Sequence, residues 1–533
     1  MQSTLIWDSP AETVKRPLDT LLRAALLVAI GLLAAACVSV LSAPKLDRAV
    51  LPPPAAAPAA KPHVEASPTP ISARALVVPS ATPRAHPEVL DPLPVGIGDV
   101  VPQVTMDIVL NHLDRRLRVT QNVRFANDAT EAWHEVVFAV PPAHLAGVFR
   151  LDQVEITTMQ RHRMAHATLD GIMLHVALPE PVLPGEPVGI TLSYTMRIPH
   201  IDPDDRLPEG NLGAGERVIQ AGDWHPTLVP YRTGEGWQTW SYHAVGDPFV
   251  YPVADYDVQI FAAPDLIVAA PGLVSDDGHV RRYAISDARS FAFFASPDYL
   301  TETGSALGLP LRSYYLPGNA RAARATLDTA ARAIELFDEL YGPYPVRELV
   351  IVQNAYVGSM EYSGLISLST EAYASYVENP AAHLVVLTVH ETAHQWWYGA
   401  VGNDQVHEPW LDEAFAKYSE QLFYERYAPD LVPWWWETHV YRYDPHGTLD
   451  RTIYDFDATV TYFNQLYGQA ARFLGDLRTQ MGDQAFFAFV RSYGEFGKGE
   501  LMTGADFLEH LLAATDEDLR PIIDRYFETV PLD

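Results

Sequence analysis

The most constraining feature of the sequence is a pair of histidines one helical turn apart, in the stretch VHETAHQWWYG that begins at Val389. On an α-helix, His390 and His394 lie one above the other on the same face. That spacing suits two imidazole nitrogens, each about 2.0–2.1 Å from one zinc ion. Glu391 points about 100° away around the helix axis, so it reaches a metal-bound water rather than the metal. The stretch therefore predicts a helix with a metal site on one face.

A third ligand is predicted at Glu413, in the segment WLDEAFAKYSEQLFYERY. Eighteen residues separate it from His394, which allows the first helix to end near Gly399 and a second helix to bring the carboxylate back. The only cysteine is Cys37, so a cysteine-rich site is excluded and the ligands must be histidine and carboxylate. Two histidines and one glutamate leave a position for water, which is typical of a catalytic zinc site. We expect one zinc ion per chain.

Alternating apolar and polar residues indicate a β-rich domain over residues 103–302. Such period-two patterning is typical of strands with one buried face. The residues expected to point into its core are Met106, Ile108, Leu110, Leu117, Val119, Val123, Phe125, Ile190, Leu192, Tyr194, Met196, Ile198, Tyr256, Val258 and Ile260.

Residues 303–533 are predicted to form a second domain in which helices dominate. One helical face is formed by Ala323, Leu327, Ala330, Ile334 and Phe337, with a glycine cap at Gly342. A strand-like run, LVIVQNAYV, follows it. Two further helices are expected to open at Pro380 and Pro409, and a break is expected at Gly482. The fold class is therefore α+β and multidomain.

Residues 43–102 read as a stalk rather than a folded domain. They contain 14 of the 43 prolines of the chain. Proline lacks a backbone donor and favours an extended, semi-rigid chain, so this segment is not expected to build a core.

Residues 1–42 are expected to hold the protein at a membrane. Residues 24–41 form an uncharged run of 18 residues, preceded by Lys15, Arg16 and Arg23. One interpretation is an uncleaved single-pass anchor with a cytoplasmic leader. A second is a lipoprotein signal, because Ala34-Ala35-Ala36-Cys37 resembles a lipobox and cleavage would leave Cys37 lipidated. A buried soluble helix is a third. The first two place the remaining chain outside the cytoplasm.

The charge of the chain excludes one class of partner. The 37 basic and 67 acidic residues give a formal net charge of −30. A strongly acidic protein repels nucleic acids and anionic lipid surfaces. We therefore expect no nucleic-acid partner.

The sequence around the motif resembles a known family. HETAHQWWYG followed by EPWLDEAFAKY is similar to the gluzincin metallopeptidases of the aminopeptidase N and leukotriene hydrolase kind. Residues 358–362, GSMEY, are similar to that family's Gly-x-Met-Glu-Asn sequence, with Tyr362 in place of asparagine. Tyr467 lies in a region similar to Tyr-x-Lys-Gly, with Gln469 and Ala470 in place of lysine and glycine. GDWHPTLVPY and ADYDVQI extend the resemblance over residues 103–533.

The resemblance implies a fold and a set of roles. It implies a saddle-like β domain followed by a thermolysin-like zinc peptidase domain, without the family's long C-terminal helical domain. It implies that Glu391 acts as general base and that a tyrosine, Tyr467 or alternatively Tyr462, stabilises the oxyanion. It also implies that Glu361, together with Gly358 and Met360, binds the free α-amine of a peptide substrate.

Several side chains and two other functions remain open in the sequence. Glu420, seven residues after Glu413 on the same helix face, is a candidate to orient a ligand histidine. Gln220 is a second candidate ligand for the amine, although an ordinary role in a strand is the preferred interpretation. His383, Trp396 and Trp397 are expected to be structural. The expected activity is an extracytoplasmic zinc aminopeptidase. The alternatives are a zinc endopeptidase or other hydrolase with the same site, and a non-catalytic binding protein that retains the fold.

Overall fold

The computed structural model describes residues 101–159, 161–201 and 211–529. Within these ranges no helix is both long and apolar enough to cross a membrane. The predicted leader and anchor at residues 1–42 and all but the last two residues of the predicted stalk lie outside the described residues. They stay predictions.

The first part of the described chain is built almost entirely of strands. Its eighteen strands, among the described residues, are β1 (Gln103–Asn111), β2 (Arg116–Ala126), β3 (Trp133–Ala139), β4 (Phe149–Thr158), β5 (His162–Met164), β6 (Ala167–Asp170), β7 (Met173–Val182), β8 (Pro187–Arg197), β9 (Leu212–Ala214), β10 (Ile219–Ala221), β11 (Thr227–Leu228), β12 (Tyr231–Arg232), β13 (Gly236–Trp237), β14 (Ala254–Phe261), β15 (Ile267–Ala269), β16 (Leu273–Asp276), β17 (Val280–Ala288) and β18 (Phe293–Ser296).

The largest sheet has eight strands in the order β16-β17-β14-β1-β2-β8-β4-β5. Most of its neighbours are antiparallel, and β1 pairs with β14 in parallel. Along β1 the residues Met106, Ile108 and Leu110 are buried while Thr105 and Val109 are exposed, as the alternation predicts. Two four-stranded sheets, β15-β18-β10-β9 and β11-β3-β7-β6, complete this part together with the hairpin β12-β13.

The second part combines a small sheet with helices. Its strands are β19 (Leu300–Ala306), β20 (Leu309–Tyr315), β21 (Leu349–Gln353), β22 (Leu365–Leu368), β23 (Gly402–Asn403) and β24 (Leu501–Met502). Its α-helices are α1 (Ala320–Tyr341), α2 (Thr370–Ala374), α3 (His383–Ala393), α4 (Trp410–Tyr427), α5 (Val432–Trp435), α6 (Thr459–Tyr462), α7 (Gln469–Met481), α8 (Asp483–Phe496), α9 (Gly504–Ala513) and α10 (Arg520–Tyr526).

The predicted fold class is confirmed: a β-rich part precedes a mixed and mainly helical part. Helix α1 buries the predicted face and ends at Gly342, which has φ of +110°. The sheet β19-β20-β21-β22 runs parallel from β20 to β22. Helix α3 packs against α1 and α4, so the histidine motif faces the helix that carries Glu413.

The helix of the histidine motif is shorter than predicted at both ends. It begins at His383 rather than at Pro380, whose carbonyl instead accepts a hydrogen bond from the Tyr424 hydroxyl at 2.7 Å. It ends at Ala393 rather than near Gly399. After Ala393 the turns are wider than those of an α-helix. The carbonyls of residues 394–396 accept hydrogen bonds from the N–H groups of residues 399–401, five positions further along the chain. The chain then turns back into β23.

Candidate metal centre

Three side chains converge where helices α3 and α4 pack together. The Nε2 atoms of His390 and His394 lie 3.2 Å apart. Oε2 of Glu413 lies 3.2 Å from Nε2 of His390 and 3.8 Å from Nε2 of His394. All three residues are buried. The structure thus brings together the three ligands that the spacing predicts.

The donor set fits a zinc ion. Four ligands at about 2.0–2.1 Å in a tetrahedron lie about 3.3–3.4 Å from one another, which is close to the observed separations of 3.2, 3.2 and 3.8 Å. Oε2 of Glu413 is inaccessible to solvent and lacks a hydrogen bond of suitable geometry. A buried carboxylate oxygen without a partner is unfavourable, and a bound cation would satisfy it. Nitrogen and carboxylate ligands of this kind suit zinc.

Each histidine is oriented through its other ring nitrogen. Nδ1 of His390 lies 2.9 Å from Oε1 of Glu420, and Nδ1 of His394 lies 2.8 Å from the main-chain carbonyl of Trp397. Both contacts require a proton on Nδ1, which leaves the Nε2 lone pair for a metal. Glu420 is thus placed as the sequence predicts.

Glu420 remains ionised although it is buried. Burial opposes ionisation, but the Lys417 ammonium and the hydrogen bond with His390 outweigh it and lower the pKa of Glu420 to about 2. Lys417 Nζ lies 2.9 Å from Oε2, and the Trp435 indole donates to the same oxygen at 2.7 Å. The carboxylate is therefore fixed before any metal binds.

Glu391 and Glu361 lie together on another side of the ligands. Ligand-type atoms of Glu361, Glu391 and His394 all lie within 4.8 Å of one another. Oε2 of Glu391 is buried and accepts no hydrogen bond. Burial is the main cause that raises the pKa of Glu391, to about 8. Burial also raises the pKa of Glu361, and the carboxylates of Asp247 and Glu391 raise it further.

Tyr467 lies at the ligand cluster and Tyr462 does not contact it. The Tyr467 hydroxyl donates to Oε1 of Glu413, and its ring lies parallel to that of His390 at 5.8 Å between centroids. Tyr467 belongs to a π-helical turn, Phe463–Gly468, which joins α6 to α7 without a break. Such turns often occur at functional sites. Tyr462 is buried, with its ring 5.8 Å from that of Tyr467.

The loop that carries Glu361 runs beside the edge strand β22. Met360 forms an antiparallel bridge with Ser367, and the carbonyl of Gly358 accepts from Nδ2 of Asn354 at 2.7 Å. Tyr362, which stands where the related motif has asparagine, is buried with its hydroxyl against Gly222. A Cβ atom on Gly222 would overlap its hydroxyl, so the tyrosine fills space that this glycine leaves open. The β-rich part therefore accommodates a tyrosine at position 362, because Gly222 has no side chain.

The remaining sequence candidates are structural in position. Oε1 of Gln220, in β10, accepts from the N–H of Ala355 at 3.3 Å, and its Nε2 is buried without a partner. The Trp396 indole donates to the Gly342 carbonyl at 3.0 Å, and the Trp397 ring stacks on Phe415 at 4.0 Å. His383 opens helix α3 and its side chain is exposed, away from the ligand cluster.

A group of polar residues that the sequence does not predict also surrounds the site. The Asp247 carboxylate raises the pKa of Glu361, and burial together with the charge of Glu413 raises its own pKa to about 7. Nε2 of Gln405 lies 3.5 Å from Glu361 and donates to Asp412 at 2.5 Å. Asp247 and Gln405 belong to loops and to no recognisable motif, so spacing along the chain carries no signal for them.

Comparison with known proteins identifies part of the chain. Residues 325–526 match the family model described as Peptidase family M1 domain. Aminopeptidase N of Lactobacillus helveticus is 25% identical over 300 residues, which are 51% of this chain and 34% of that protein. Aminopeptidase 2 of Candida albicans is 24% identical over 240 residues, which are 42% of this chain and 26% of that protein. The matched segments thus span about a third or less of these relatives.

Solved structures share the fold. The M1 zinc metallopeptidase of Deinococcus radiodurans superposes with a TM-score of 0.59 at 18% identity, over 82% of this chain and 96% of that one. A mutant of it bound to the substrate Tyr-Ser-Ala superposes with a TM-score of 0.57. The two-part architecture is therefore that of M1 peptidases. Residues 325–526 thus match a peptidase family M1 domain, and this part of the chain is similar to the aminopeptidase N-like members of that family.

Proposed function

We propose that the protein is a zinc-dependent metallo-aminopeptidase that removes single residues from the N-terminus of peptides. The observation that carries the proposal is the position of Glu361, whose carboxylate lies within 4.8 Å of ligand-type atoms of both Glu391 and His394. A carboxylate at this distance pairs with the α-ammonium of a peptide while the first peptide bond lies over the metal. An endopeptidase has no use for such a group.

The negative charge of the site favours the binding of two cations, a metal ion and a substrate ammonium group. Glu361, Glu391 and Glu413 are buried together, and Asp247 adds to their mutual repulsion. Buried carboxylates this close are not stable as anions unless cations compensate them. A zinc ion beside Glu413 and a substrate ammonium beside Glu361 would supply that compensation.

The residues of the site divide the reaction between them. A zinc ion held by His390, His394 and Glu413 would polarise the scissile carbonyl and lower the pKa of a bound water towards neutrality. Glu391, with its unpartnered Oε2, accepts a proton from that water and passes it to the leaving amine. Tyr467 donates its hydroxyl hydrogen to the oxygen on which charge develops, for which it must leave Glu413. Glu420 and the Trp397 carbonyl hold the two histidines in place.

The names of the relatives agree with this activity. The matched proteins of Lactobacillus helveticus and Candida albicans are both called aminopeptidases. A mutant of the Deinococcus radiodurans relative was solved bound to the substrate Tyr-Ser-Ala. These names support peptides as the substrate class.

The activity is tested by the order in which products form. Purified protein loaded with zinc is incubated with an unlabelled peptide of about ten residues, and the products are followed by mass spectrometry. We expect a ladder of peptides, each one residue shorter at the N-terminus. Products from an internal cut would support the endopeptidase alternative instead, and no products at all would support the binding protein.

We propose further that the protein works outside the cytoplasm, tethered to a membrane. This proposal rests on residues 24–41 and on Cys37 alone. Fractionation of cells that produce the full chain would test it, with the protein expected in the membrane fraction. A Cys37→Ser variant that moves to the soluble fraction would indicate the lipoprotein, and one that stays would indicate the anchor. Wild-type protein in the cytosolic fraction would contradict both.

A further inference from the structure

The segment after helix α3 depends on support from outside the helix. The Trp397 carbonyl, which orients His394, lies in a tight turn over residues 397–401. The next residue, Tyr398, has φ of +118°, a conformation that is unfavourable for a residue with a side chain. Such strain persists only where the surrounding structure imposes the conformation. The position of the Trp397 carbonyl is therefore set by whatever holds Tyr398.

Arg289 holds this turn. The side chain comes from the chain just beyond β17 and is completely buried. Nε donates to the Tyr398 carbonyl at 2.5 Å, and Nη2 donates to the Ala400 carbonyl at 3.2 Å. The same guanidinium donates to the carbonyls of Tyr251 at 2.8 Å and Glu500 at 2.7 Å. One side chain of the β-rich part thus joins three segments that are distant in sequence.

The guanidinium fits its place closely. A Cβ atom on Gly402 would lie 2.6 Å from Nε and 2.7 Å from Nη1 of Arg289, which is too close for any other residue at that position. The main-chain N–H of Arg289 is fixed as well, by Ser363 Oγ at 3.0 Å. Burial lowers the pKa of Arg289 to about 10, so it stays charged at neutral pH and keeps all its donors. Only arginine has a planar fork that spans carbonyls in this arrangement.

We propose that Arg289 is a positioning residue for the metal centre, which fixes the Trp397 carbonyl and through it the orientation of the ligand His394. The proposal rests on the zinc site of the proposed function. It means that the β-rich part controls metal affinity from a distance, although Arg289 contacts neither the metal ligands nor the substrate site. Loss of such an outer hydrogen-bond partner typically weakens metal binding by about 10- to 100-fold.

The test is the zinc dissociation constant, measured by competition with a chromogenic chelator on the full chain. We expect Arg289→Met to raise the constant by about 10- to 100-fold. Gly402→Ala should do the same, because its methyl group displaces the guanidinium while leaving every polar group in the chain. Arg289→Lys keeps the charge and part of the donors, so we expect it to restore a fraction of the lost affinity. Visible spectra of the cobalt-substituted variants should change as the His394 ring tilts.

Arg281→Met is the matched control. Arg281 is another buried arginine of β17, and its Nη2 donates to the Leu266 carbonyl at 2.7 Å, away from the turn. We expect this variant to lose thermal stability and to keep the wild-type zinc constant. If Arg289→Met and Gly402→Ala are folded by circular dichroism and bind zinc as tightly as wild type, the positioning role is wrong. If wild-type protein itself binds no zinc, the proposed function fails and the role of Arg289 fails with it.

Discussion

At the scale of single residues, the site separates groups that are held from groups that are free to react. Glu420 is fixed by three donors, from His390, Lys417 and Trp435. Glu391, in helix α3, is buried as well, yet its Oε2 accepts no hydrogen bond. An unpartnered buried carboxylate with a pKa raised towards neutrality is suited to take up and release protons. The contrast assigns orientation to one glutamate and chemistry to the other.

Replacing Glu391 by glutamine should remove the proton acceptor and keep the shape of the site. Positioned general acid and base groups contribute about 10²- to 10⁴-fold, so we expect kcat on an aminoacyl anilide to fall by that factor. Zinc content should stay at one ion per chain, as measured by atomic absorption. Glu371→Gln, at an exposed glutamate of α2, serves as the control. Normal turnover by Glu391→Gln would rule out its role as base.

Tyr467 and Tyr462 can be separated in the same assay. Tyr467→Phe loses the hydroxyl that reaches Glu413, and removal of one oxyanion donor typically lowers kcat by about 10²- to 10³-fold. We expect KM to change little, since the hydroxyl acts on the transition state. Tyr462→Phe should leave kcat near the wild-type value, because that residue is set back from the ligands. The reverse result would assign the oxyanion to Tyr462.

At the scale of elements, the predictable parts are those with a local pattern. The buried face of α1, the strand at residues 349–353 and the alternation along β1 all follow from apolar periodicity. The wide turns after Ala393 and the π-helical turn at residues 463–468 do not, because tertiary contacts rather than periodicity determine them. Both irregular turns lie next to the metal ligands. The sequence therefore predicts the ligands but not the backbone conformation that positions them.

Helix α4 supplies a ligand from one turn and an orienting carboxylate from a later one. Glu420→Ala should leave Nδ1 of His390 without its partner, and we expect zinc affinity to fall by about 10- to 100-fold. Glu425→Ala is the matched control, since Glu425 lies on the same helix and pairs with Arg478 at 2.7 Å. Chelator competition measures both. An unchanged dissociation constant in folded Glu420→Ala would show that the contact does not support the metal.

At the scale of the whole molecule, the catalytic part is completed by the β-rich part that precedes it. Arg289 and Asp247 both come from that part, one holding the turn after α3 and the other adding charge near Glu361. Neither position was predicted, because a contact between segments more than a hundred residues apart leaves no trace in a single sequence. The motif residues were predicted because two helices bring them together over a short separation.

The pH dependence of stability should reveal the buried carboxyl group of Asp223. Asp223 accepts a hydrogen bond from Tyr251 at 2.5 Å, and burial raises its pKa from 3.8 to about 7. The folded state then holds a proton that the unfolded state releases, so stability falls as pH rises from about 4 to 7. Asp223→Asn removes this dependence.

Urea unfolding of both proteins at pH 4.5 and pH 7.5 measures the effect. We expect wild type to lose more free energy of unfolding than Asp223→Asn over this interval, by an amount of the order of a few kcal/mol, since one pKa unit corresponds to about 1.4 kcal/mol. Equal losses in the two proteins would mean that Asp223 is ionised throughout.

Recognition of a free N-terminus through Glu361, which the proposed function requires, is measured by one ratio. The ratio compares kcat/KM for a peptide with a free amine and for its N-acetylated form. A buried charge pair is worth about 2–5 kcal/mol when one partner is removed, so wild type should prefer the free peptide by about 30- to 5,000-fold. Glu361→Gln should lose most of that preference while keeping its zinc. Equal cleavage of both peptides by the wild-type protein would show that the enzyme does not recognise a free N-terminus.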